Sequence, residues 1–132
     1  MAQTKLGVCY QYGKGVAADP VLAAKWYRKA AAQGYALAQF VLGDCYKDGT
    51  GVAVNPALAA EWYAKAAAQG DVDAQHILGG CYERGFGVVA NRATALAWYR
   101  KAAAQGSEYA AAALARLAAP AGGGGAARAP RS

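Results

Sequence analysis

Apolar and small residues run along the chain in two alternating patterns, and each predicts a helix. In the first, Ala38, Leu42, Cys45 and Tyr46 stand at i, i+4, i+7 and i+8, which is one face of an amphipathic helix. In the second, Ala59, Tyr63, Ala66 and Ala67 form the inner face of a further helix, with Trp62 beside them and Lys65 turned outward. Between the two, Gly49 and Gly51 predict a stop and a turn, after which Val52 re-enters the core. Asn55 is placed to cap the second helix, and Pro56 suits its first turn. Gly70 can end it in the left-handed conformation.

The same grammar occurs three times at a period of 36 residues. Residues 2–37 and 38–73 agree at 22 of 36 positions, and residues 38–73 and 74–109 at 20, which identifies a stacked-repeat architecture. One helix hairpin offers too small an apolar face to be buried alone, so neighbouring units must stack. The repeats are set at residues 2–37, 38–73 and 74–106. Asp71 and Ser107 can cap the first helices of the units that follow them, whereas Tyr35, in the same place, cannot. Residues 107–119 begin a fourth first helix: Leu114 falls on the column of Leu6, Leu42 and Leu78, but Ala115 replaces the glycine and Ala118 the tyrosine. That segment reads as a terminal capping helix, ended by Pro120, and residues 120–132, with four consecutive glycines, read as a disordered tail.

The hydrophobic fraction of 56% overstates the core, because much of it is alanine. Three Trp and nine Tyr supply the larger anchors. A net charge of +6 raises the question of nucleic acid. The units carry +4, −3 and +2, however, so an acidic middle repeat interrupts the basic stripe that a phosphate-binding surface needs. A nucleic-acid partner is therefore not expected. No stretch approaches the roughly 20 apolar residues of a membrane span, so no membrane insertion is expected. Residues 1–5 show no signal segment, which places the chain in the cytoplasm by default. The first unit begins inside its helix without room for a cap. A missing upstream piece, with a periplasmic or secreted location, stays open.

Candidate chemistry is sparse. Cys9, Cys45 and Cys81 occupy one repeat column, where stacked hairpins hold equivalent positions roughly 10 Å apart. That is too far for a disulfide or a shared metal, so three buried free thiols and no metal or cofactor are expected. His76 is the only histidine and reads as solvated. No nucleophile–base pair can be assembled with it, and the Gly-x-Gly-Val turns lack the Lys-Ser/Thr of a phosphate loop. The chain is thus read as non-enzymatic. The Trp-Tyr pairs recur at one register and read as core, and Gly7, Gly43 and Gly79 imply a close approach of the second helix to the first.

These residues resemble the Sel1-like repeat proteins, relatives of the tetratricopeptide repeats. The match runs in order through Leu42-Gly43, Tyr46, Gly49, Gly51-Val52, Ala59, Trp62-Tyr63, Lys65 to Ala67 and Gln69-Gly70. It returns in the flanking units around Trp26-Tyr27 and Trp98-Tyr99. The resemblance implies an all-α, right-handed α-solenoid of helix-turn-helix repeats and a non-catalytic scaffold that binds a protein or peptide partner. It also implies that the first helices line a concave groove. The positions that vary between units on that face are the candidate contacts: Thr4, Val8, Tyr12, Phe40, Asp44, Lys47, Asp48, His76, Glu83 and Arg84. A cysteine-rich branch of the family carries two bridged cysteines per unit. Its small-molecule chemistry suggests an alternative, weak binding or hydrolysis of a β-lactam-like compound. One cysteine per unit speaks against that alternative.

Overall fold

Each second helix begins where an asparagine or aspartate satisfies a free backbone amide. Asp19 accepts from Leu22 N at 3.1 Å, Asn55 from Leu58 N at 3.1 Å and Asn91 from Thr94 N at 3.0 Å. The computed structural model describes residues 4–5, 7–8, 12 and 18–118. Among these, all regular structure is helical: α1 (Pro20–Ala32), α2 (Ala36–Asp48), α3 (Pro56–Ala68), α4 (Val72–Arg84), α5 (Arg92–Ala104) and α6 (Glu108–Ala118). Thr4, Lys5, Gly7, Val8 and Tyr12 are helical as well. The expected tail and Cys9 lie outside the described residues.

Helices α2 and α4 start two residues before the repeat boundaries drawn at 38 and 74, so the period is kept and its phase moves. Asp71 caps α4 through Ala74 N at 2.9 Å, and Ser107 Oγ accepts from Ala110 N at 3.0 Å. Tyr35 makes no side-chain cap. At the other end of α3, Gly70 has φ +96°, while Gly70 N donates to Ala67 O and Asp71 N to Ala66 O. This satisfies the last carbonyls of the helix before the chain turns into the next unit.

Every helix packs on its sequence neighbours, α1 on α2 through to α5 on α6. Tyr27, Tyr63 and Tyr99 are the largest fully buried side chains, each at the centre of one hydrophobic cluster. The partner of each ring is a glycine. A Cβ on Gly43 would lie 2.8 Å from the Tyr63 ring, and one on Gly79 equally close to Tyr99. The expected close approach of the two helices is therefore present. Trp26, Trp62 and Trp98 are half-buried, each beneath a lysine three residues on, at 4.8, 5.5 and 4.8 Å. The recurring pair divides its work: tyrosine fills the core and tryptophan seals its edge.

Two devices join one unit to the next. Gly51 has φ +72°, and a Cβ there would stand 2.0 Å from the Pro20 carbonyl oxygen; Gly87 meets Pro56 in the same way. The turn of each unit thus lies directly on the start of the preceding second helix. The other device is a glutamine ladder. Buried Gln39 donates to Ala31 O at 3.3 Å and accepts from Gln69 Nε2 at 2.8 Å, while Gln69 also donates to Gly34 O at 2.7 Å. Gln75 and Gln105 repeat the arrangement one unit later.

Candidate functional site

The first-helix face carries two clefts, of about 280 and 250 Å³. Val8, Tyr12, Val41, Asp44 and Asp48 line the first, together with Cys45 at its floor. Lys47, His76, Ile77, Gly80 and Arg84 line the second, closed by Phe86 and Tyr109. Seven of the ten expected contact residues are thus brought to these clefts. Tyr12, Lys47, Asp48 and Arg84 are the exposed ones, Tyr12 at 66%.

Thr4, Phe40 and Glu83 lie outside both clefts, and His76 lines the second one while packed against a neighbouring helix. Thr4 is 2% exposed, so it belongs to the interior, and its hydroxyl has no hydrogen-bond partner among the described residues. Phe40 is half-buried against Tyr63, ring centroids 5.8 Å apart, because its place on α2 faces the neighbouring core. His76 is half-buried rather than fully solvated: its ring lies 4.7 Å from that of Tyr109, and Nδ1 is 3.3 Å from Ser107 Oγ. Glu83 is turned away from the cleft by two partners. It accepts from the Tyr99 hydroxyl at 2.7 Å and pairs with both terminal nitrogens of Arg116 on α6.

Electrostatics follow from these contacts. The guanidinium of Arg116, helped by the Tyr99 hydroxyl, holds the Glu83 carboxyl down to about 2. Burial pushes the Asp44 carboxyl up, opposed by the hydrogen bond it accepts from Tyr63. Burial also pushes the Cys45 thiol up to about 11 and raises Cys81. Both are free and buried, so neither is an activated nucleophile. Among the described residues no three His, Cys, Asp or Glu side chains come together as a metal site, and no helix is long and apolar enough to cross a membrane.

Phe86 and Tyr109 close the second cleft without having been singled out in the sequence. Both are aromatics in variable columns, opposite Thr50 and Asp73 of the preceding unit, and that substitution was the available signal.

Residues 1–35, 36–71 and 72–107 each match the Sel1 repeat. Among solved structures, the chain is similar to a protective antigen of uropathogenic Escherichia coli with an SLR fold, at 39% identity and a TM-score of 0.86 over 88% of this chain and 25% of the other. It is similar to a Sel1 repeat protein of Oxalobacter formigenes, at 42% identity and a TM-score of 0.85 over 88% of this chain and 47% of that one. It is also similar to cysteine-rich protein B of Helicobacter pylori, at 34% identity and a TM-score of 0.67 over 70% and 69%. The chain therefore spans a quarter of the first and about half of the second. A comparison with curated proteins found no match. Three consecutive matches, an all-helical stack and these neighbours place the chain in the Sel1 repeat family.

Proposed function

We propose that this chain is a non-catalytic interaction scaffold that takes a peptide segment of a protein partner along its concave, first-helix face. The observation that carries this reading is the pair of clefts at equivalent repeat positions, opened by exposed Tyr12, Lys47, Asp48 and Arg84. An apolar floor with polar groups at its rim suits a bound segment better than a buried reacting group. The buried, high-pKa thiols and the stacked His76 argue against the alternative of small-molecule hydrolysis.

The test is a peptide-display selection on the immobilised chain. Selected peptides are then offered to a variant carrying Tyr12→Ser, Lys47→Glu, Asp48→Lys and Arg84→Glu, all at exposed positions. A control carries Lys25→Glu and Glu61→Lys on the second helices, also exposed. Binding lost only in the first variant is the expected result. Binding kept in that variant would place the contact surface elsewhere.

A further inference from the structure

The two clefts are one cleft built twice with its charge reversed. Val41 and Ile77 stand one repeat apart, as do Cys45 and Cys81, and these pairs keep the same apolar wall and floor. At the remaining three shared columns the character changes: Asp44 gives way to Gly80, Asp48 to Arg84 and Thr50 to Phe86. The change at Gly80 opens the space the arginine uses. A Cβ at Gly80 would lie 2.9 Å from Arg84 Nη2, so the guanidinium lies back over the bare helix backbone, inside the cleft. Lys47 reaches the same cleft from α2. Glu83, the acid nearest in sequence, is bound to Arg116 and Tyr99. Among the described residues, no acidic side chain lines the second cleft and no basic one lines the first.

We infer that the bound segment is an extended peptide with a cationic side chain for the Asp44–Asp48 cleft and an anionic one for the Lys47–Arg84 cleft. This rests on the concave-face reading above. Neighbouring first helices in such a wall lie about one helix diameter apart, roughly 10–12 Å. An extended chain advances about 3.3 Å per residue, so the two charges stand three or four residues apart. Reversed order sets like charges against each other at both clefts and is disfavoured. The polarity of the wall thereby fixes the direction in which the peptide runs.

The probes are short synthetic peptides in a serine–leucine host, each with one lysine and one glutamate at increasing separation and in both orders. They are measured by fluorescence anisotropy on the full chain. One order at a separation of three or four is expected to bind about tenfold more tightly than its reverse. Asp48→Arg combined with Arg84→Asp, both at exposed sites, is expected to abolish that preference and leave the uncharged host peptide bound as before. Gly80→Asp, which installs the residue of the first cleft, is expected to lose the preference for glutamate. Equal binding of both orders, or a preference unchanged by the double substitution, overturns the charge inference while leaving the concave-face reading standing. Failure of every peptide, the host included, overturns both.

Discussion

The hydroxyl of Tyr63 donates to the carboxylate of Asp44 across the hairpin of the second unit. A phenol sunk in the core needs an acceptor, and α2 supplies one from its otherwise solvent-facing side. The third unit meets the same need differently. Gly80 replaces the aspartate, and Tyr99 reaches Glu83, one helical turn further on. Tyr63→Phe should cost about 1–2 kcal/mol at neutral pH, because it strips a half-buried carboxylate of its donor. Asp44→Asn keeps an acceptor and removes the charge. Burial raises the Asp44 value above its ordinary 3.8, so the folded chain holds this proton more tightly than the unfolded one. Its contribution is complete below 3.8 and is lost as pH rises through the raised native value. Asp44→Asn should therefore match or exceed the parent in urea unfolding at neutral pH. A substitution that destabilises more at neutral than at acid pH would contradict this.

Glu83 has the opposite sign. Its value falls from 4.5 to about 2 under the Arg116 hydrogen bonds, then that of Tyr99. The stability it lends is present above 4.5 and is lost as pH falls through about 2. Because Arg116 sits on α6, that loss should appear first as release of the terminal helix. Arg116→Gln is expected to move the Glu83 titration, followed by carboxyl NMR, back toward 4.5 and to flatten the acid limb of the melting curve. An unmoved titration would assign the depression to some other group.

The glutamine ladder ties the two helices of a unit to each other and to the unit before. Gln69→Ala leaves Gln39 Oε1 and Gly34 O without the donor they share, and Gln39 is 5% exposed. A loss of about 1–2 kcal/mol is expected in denaturant unfolding. Gln39→Leu in the same chain should make the second substitution nearly silent, since the coupled group is gone. Additive losses would show that the two side chains act separately.

Most of the fold was legible because a spacing repeated three times separates structural columns from variable ones. Leu42, Tyr63 and Gly43 were readable in this way, and so was the division between α5 and the shorter α6. The site was less legible because variation alone does not say which way a side chain turns. Asp44 and Glu83 vary between units, yet each serves a tyrosine from the other helix of its hairpin. His76 varies as well, but it stacks on Tyr109, which arrives from the next unit. The glutamines recur at one register, while their purpose lies in a contact 30 residues away that no local spacing displays.

The glycines allow the different demands of this fold to be separated by experiment. Gly34 has φ +95° and nothing within 4 Å of a would-be Cβ, so Gly34→Ala should cost only the left-handed backbone penalty, about 1–2 kcal/mol. Gly43 is helical, and alanine there gains about 1 kcal/mol of helix propensity. That gain is set against overpacking of about 1–3 kcal/mol where the new methyl meets the buried Tyr63 ring at 2.8 Å. Gly51→Ala combines positive φ with a contact of 2.0 Å to the Pro20 carbonyl, and neither backbone can yield without separating the first and second units. It should therefore be the worst of the three. It should also broaden the unfolding transition, since its clash falls at the junction between units. Calorimetric melts of the three variants decide the matter: if Gly51→Ala melts no lower than Gly34→Ala, the turn does not hold the units together.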